Sequence, residues 1–268
     1  MENRLFQELL SIMSRLRGEG GCPWDREQTI ESLKPFLIEE CHEVIEAIEE
    51  GDPHKIQEEL GDLLFQIIFL AQIGKEQGTF DIARILTTIS EKMIRRHPHV
   101  FSDDTASQPS EVLARWEEIK RMEEAEGKRG RNAGDVHSSV LNGIPKGLPS
   151  MTYAHRVQAK ASRVGFDWQR LDEVMVKLDE EIGEFREAVA GTDPKKIEDE
   201  LGDVLFTMVN ISRFLGIDPE GALRRTVRRF IERFQAMERV VNERGTTMSE
   251  LDIHSLDLIW EEVKAKIS

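Results

Sequence analysis

Glu181 and Glu184 stand three residues apart, and Glu200 and Asp203 repeat that interval further along the chain. Positions three or four apart on an α-helix share a face. Two neighbouring antiparallel helices would therefore aim two pairs of carboxylates at one point. Carboxylates so crowded repel one another, and without a cation some would protonate or the site would open. Hard divalent ions prefer oxygen ligands, and Mg²⁺ often shares its shell with water and substrate phosphates, with Mn²⁺ as a substitute. A lone Glu-Glu-x-x-Glu is commonly just a solvated helix face. The second acid pair at fixed distance favours the metal.

The same acids occur twice. FLIEECHEVIEAIEEGDPHKIQEELGDLLF (36–65) aligns without a gap to KLDEEIGEFREAVAGTDPKKIEDELGDVLF (177–206). Glu40, Glu43, Glu59 and Asp62 fall opposite Glu181, Glu184, Glu200 and Asp203, and Lys55 falls opposite Lys196, all at an offset of 141. An ungapped match of this length marks an internal duplication. Gly61 and Gly202 lie inside the second acid pair of each copy. Glycine in a helix interior costs about 1 kcal/mol relative to Ala, so a close approach of another helix or of substrate is expected there.

The elements that must position these acids are helical. Leu5, Leu9, Ile12, Met13 and Leu16 form one apolar stripe, and Ile56, Leu60, Leu63, Leu64, Ile67 and Ile68 form a broader one. No convincing alternating strand pattern occurs. Between the two acid pairs, Gly-Thr-Asp-Pro supplies a helix stop, an N-cap in Asp193 and a first-turn proline. A Gly-rich, charged stretch without apolar period, including GKRGRNAGDVHSS, reads as a mobile linker. The expectation is all-α: two duplicated helical-bundle domains, 1–125 and 149–268, joined by a flexible linker, 126–148. A pair of acidic helices has too little core to stand alone, so each domain should complete a bundle with further helices or a second subunit.

Composition narrows the partners. The net charge is −15, with 51 acidic and 36 basic residues, which does not attract nucleic acid or anionic lipid. The longest apolar stretch, Leu63 to Ile73, is interrupted by Gln66 and Gln72 and is too short for a membrane span. The N-terminus reads as an amphipathic helix, unlike a secretory signal. Cys22 and Cys41 form no C-x-x-C pair and fit a reduced, cytoplasmic protein.

GCPWDREQTIESLKPFLIEECHEVIEAIE and EELGDLLFQIIF in the first half, with RVGFDW, DEEIGEFREA, DELGDVLF, FIERF and IWEEVKAK in the second, resemble the MazG family of nucleoside triphosphate pyrophosphohydrolases over nearly the whole chain. The resemblance implies an all-α homodimer that uses Mg²⁺ to hydrolyse nucleoside triphosphates at the α–β bond, clearing unwanted nucleotides. It implies Glu181, Glu184, Glu200 and Asp203 as metal ligands, and Lys196, Arg229 and Arg233 as triphosphate contacts. The family commonly has Lys at the position of Arg229, and the two cations differ in geometry. Trp260 and Lys264 match a pair that closes over the nucleotide, and Glu180 is the candidate to orient or deprotonate water. Each has a plainer alternative: Lys196 as an i,i+4 partner of Glu200, the arginines as a surface helix, Trp260 as a helix anchor.

The first copy keeps Lys55, with Lys92 and Arg96 at positions like Arg229 and Arg233. The resemblance attributes activity chiefly to the second copy. Two other readings compete. Glu39 and His42 form a Glu-x-x-His pair, as in di-iron bundles, but the second copy has Gly183 in place of His42. A non-catalytic dimerisation or nucleotide-sensing module is the other, against which stands the completeness of the C-terminal set.

Overall fold

The computed structural model describes residues 1–102 and 139–266, with Gln108, Val112, Arg115, Trp116, Ile119, Met122 and Glu123 between them. The described residues contain helices and turns but no strand. The chain divides into two compact units, Met1–Ala133 and Gly134–Ser268. Of the expected linker, 126–138 lies outside the described residues, and 139–148 runs through turns. No described helix is long and apolar enough to cross a membrane.

In the first unit, α1 (Glu2–Arg17) and α2 (Pro23–Glu27) precede the hairpin of α3 (Lys34–Glu50) and α4 (Pro53–Glu76), which α5 (Ile82–Arg96) and α6 (Pro98–Phe101) follow. Gly51 ends α3 in the left-handed region, and Asp52 starts α4 by accepting from the His54 amide at 2.9 Å. The core joins Met13 of α1, Leu33 before α3, and Ile68, Phe69 and Ile73 of α4.

The second unit repeats the hairpin. Here α7 (Ser150–Ser162) packs on α9 (Pro194–Phe214), which pairs with α8 (Leu171–Gly191). Asp193 caps α9 through the Lys195 amide at 3.1 Å, with Pro194 in the first turn. The residue opposite Gly51 is Thr192, at φ 60°, so the same turn is made here by a side chain that pays for the left-handed conformation. Next, α10 (Pro219–Glu243) packs on α11 (Ile253–Lys266) around Met237, Val241, Ile259 and Val263.

A Cβ added at Gly61 or Gly202 would meet no atom within 4 Å. The close helix approach expected at these glycines is thus not made among the described residues, and the space beside each of the two glycines is open there. Each hairpin also leaves apolar side chains uncovered. Leu60, Leu64 and Ile67 on α4, and Leu201, Leu205 and Met208 at the same offset on α9, are 37–49 % exposed. Leu223, Val227, Phe230 and Phe234 extend such a face along α10.

Candidate metal and nucleotide site

In the second unit, α8 carries Glu181 and Glu184 and α9 carries Glu200. One carboxylate oxygen from each lies within 4.8 Å of the other two. The hairpin turn sets this convergence, because Thr192 and Asp193 reverse the chain so that the facing stripes meet. Glu181 is buried, Glu184 exposed and Glu200 half-buried. Asp203, one turn after Glu200, is outside that close trio and lines a cavity shared with Glu181.

The trio is electrostatically crowded. Lost hydration, then Glu200 and Glu181, push the Glu184 carboxyl above its ordinary value. The nearest relief is Lys177, one turn before Glu181, whose ammonium lies 2.9 Å from Glu181 and 2.7 Å from Glu180. Those two carboxylates raise the lysine's pKa in turn. Sequence reasoning passed over Lys177, although its i,i+4 spacing to Glu181 was visible. An all-oxygen donor set with a side-chain cation already at its edge suits a hard divalent ion.

The expected cations are placed less uniformly. Lys196 is exposed and makes no ion pair among the described residues. Arg229 is exposed and donates to Thr226 at 3.0 Å, while Arg233 is half-buried on the same helix. Trp260 packs on Phe230 with ring centroids 5.2 Å apart, and Lys264 pairs with Glu261 at 3.0 Å. Glu180 is exposed and turned to Lys177. Among the described residues, the partners given for Trp260, Lys264 and Arg229 are Phe230, Glu261 and Thr226, none of them in the acid trio.

A family model described as the MazG nucleotide pyrophosphohydrolase domain matches residues 28–101 and again 169–237. A nucleoside triphosphate pyrophosphohydrolase/pyrophosphatase from Thermotoga maritima is 47% identical over 97% of this chain and 96% of its own. A nucleoside triphosphate pyrophosphohydrolase from Escherichia coli is 44% identical over 97% of each. The chain belongs to the MazG family.

Its two MazG domains share the acid trio but not the surroundings. In the first, Glu40, Glu43 and Glu59 also bring carboxylate oxygens within 4.8 Å of one another, with Asp62 outside the set. Lost hydration, then Glu59 and Glu40, raise the Glu43 carboxyl, and lost hydration, then Glu58, Asp62 and Glu40, raise that of Glu59. No lysine pairs with Glu40 as Lys177 does with Glu181, because Phe36 stands opposite Lys177, and the charge of Lys55 opposes the rise at Glu59 without reversing it. Instead Gln66 donates to Glu40 at 3.2 Å.

Lys55 and Arg96 of the first MazG domain pair with acids outside the trio. Lys55 pairs with Glu50 at 2.6 Å, whereas the residue opposite Glu50 in the second domain is Gly191. Arg96 and Arg95 both bind Glu123, and Arg96 also lies over the Trp116 ring at 5.6 Å. The Arg96 guanidinium, then Arg95, hold the Glu123 carboxyl down at about 2, from an ordinary 4.5. A carboxyl lowered on folding stabilises the fold above its ordinary pKa and loses that contribution as pH falls through the folded value. Glu123→Gln is therefore expected to cost about 1–2 kcal/mol at pH 7, allowing for solvent screening. In paired thermal melts the difference should shrink between pH 4.5 and pH 2. A gap that persists at pH 2 would mean packing, not charge, is what the variant removes.

Proposed function

We propose that the second MazG domain hydrolyses nucleoside triphosphates to nucleoside monophosphate and pyrophosphate at a Mg²⁺ site formed by Glu181, Glu184, Glu200 and Asp203. The observation that carries this is the convergence of the three glutamates, in a chain so similar to relatives named for the activity. Held there, Mg²⁺, or Mn²⁺ in its place, supplies a lowered pKa for bound water and positive charge for phosphate oxygens.

The chain's own residues do the rest. Lys196, one turn before Glu200 and without another partner, binds a phosphate from the open side of α9. Arg229 and Arg233, one turn apart on α10, neutralise charge developing on the leaving pyrophosphate. Lys177, paired with both Glu180 and Glu181, would be released from them if Glu181 held a divalent ion, and Glu180 would then be available to accept the proton of the attacking water. Trp260, packed on Phe230, fixes α10 and so the height of Arg229. Lys264 reaches a phosphate by exchanging Glu261 for it. The biological outcome is removal of excess or non-standard nucleotides from the cytoplasmic pool.

Hydrolysis in ¹⁸O-labelled water tests the bond assignment: the label is expected in the monophosphate. Label in pyrophosphate, or release of diphosphate and orthophosphate, would place the attack elsewhere. Glu200→Gln combined with Asp203→Asn should reduce pyrophosphate release by about 10³-fold or more, as loss of a metal site does when chemistry depends on it.

The uncovered apolar faces of α4, α9 and α10 support a homodimer. Rows such as Leu201, Leu205 and Met208 are what a bundle buries against a second copy of itself. Light scattering should give twice the chain mass at micromolar concentration, and Leu205→Glu should lower it. A wild-type monomer would contradict the assignment.

A further inference from the structure

The second unit contains a cavity of 620 Å³ that the acid site does not exhaust. Glu181, Asp203 and Lys177 form one part of its wall. From Asp203 it follows one face of α9 through Thr207 and Asn210 to Arg213. Seven residues of helix, from Asp203 to Asn210, cover about 10 Å. A ribose and a base span such a distance from a phosphate held at the acids.

The wall away from the acids is aromatic and polar. Phe166, Trp168 and Phe206 line it and are 82, 42 and 45 % exposed, so aromatic surface at the cavity is accessible to a planar ligand. Stacking on such faces tolerates any base. Gln158 of α7 is only 6 % exposed. Its Nε2 donates to the Phe206 carbonyl at 2.8 Å, which fixes the orientation of the amide. Its Oε1 is then left as a buried acceptor with no partner. A buried acceptor unmatched in the free protein is costly and is satisfied by a ligand N–H. Asn210 completes the pair in the opposite sense. Arg213, itself paired with Asp167, donates to Asn210 Oδ1 at 2.8 Å, which turns the asparagine's NH₂ outward as a donor. One acceptor and one donor on an apolar, aromatic-walled cavity match the edge of a nucleobase.

The first domain shows what the same architecture looks like when this space is used as core. Each domain's first helix buries a single residue, Met13 in α1 and Gln158 in α7. Opposite Asn210 at the offset of 141 stands Phe69, which is 2 % exposed and packed in one cluster with Met13. An apolar pair therefore closes the first domain where a polar pair lines a cavity in the second. The acid trio is common to both.

Resting on the nucleotide reading above, we infer that the 620 Å³ cavity seats the nucleoside's base, with Gln158 and Asn210 reading its edge, and that Phe69 and Met13 close the first domain to nucleosides. The donor–acceptor pair fits a substrate class with broad base tolerance, since every common base offers an N–H beside an acceptor.

The test transplants the first domain's residue into the second. Asn210→Phe in the full chain should raise KM for nucleoside triphosphates roughly tenfold or more, while kcat changes less. Asn210→Asp, which keeps the volume but replaces the donor by an acceptor, should raise KM in the same sense. Should Asn210→Phe fail to fold, the fluorescence of Trp168 decides without it. Nucleoside monophosphate added with Mg²⁺ should change wild-type emission saturably, and Trp168→Phe should remove that change. Active wild type with unaltered KM in the folded Asn210 variants, or with no Trp168 response, would overturn the cavity assignment alone. Wild type that releases no pyrophosphate would overturn the nucleotide reading itself.

Discussion

Three glutamate carboxylates held within 4.8 Å of one another are the constraint on which each hairpin turns. Like charges at that distance raise each other's pKa and strain the helix pair unless something positive intervenes. The two domains answer differently. The second brings the Lys177 ammonium to Glu181. The first offers the Gln66 amide at Glu40 and the charge of Lys55 near Glu59. The hairpin can afford the crowding because its turn is firmly capped, by Asp52 and Asp193, and because the helices bury apolar residues such as Val44 and Val174 beside the acids.

Much of this was legible in the sequence. The duplication, the helical class, the capped turn and the trio of glutamates all follow from spacing, because α-helical geometry converts intervals of three and four directly into shared faces. Asp62 and Asp203 were grouped with the glutamates on the same rule, yet stand outside the close trio: spacing gives the face but not the side chain's length or direction. The cavity was not legible at all. Its wall joins Gln158, Phe166, Trp168 and Asn210 from α7, the following loop and α9, and no local period connects them. Only the contrast of Phe69 with Asn210 at the repeat offset carried a trace of it.

The two copies surround the same acid trio with different residues. Phe69 and Met13 convert one domain's space into core, and Glu50 and Glu123 occupy the cations that the other domain leaves nearer to hand. The first domain keeps the convergent glutamates, with Phe69 buried where the second has Asn210 and with Lys55 paired to Glu50. Its crowded carboxylates weigh against the stability of its own hairpin, and the apolar row of Leu60, Leu64 and Ile67 on α4 stays exposed.

The central claim is that one of two matching acid sites does the chemistry. It is tested most directly by measuring pyrophosphate release from the full chain after neutralising the first site alone, with Glu40→Gln and Glu59→Gln together. The account predicts kcat within about twofold of wild type and an unchanged KM, because the second domain keeps every group that touches substrate. Loss of most of the activity in a folded, normally assembled variant would contradict it.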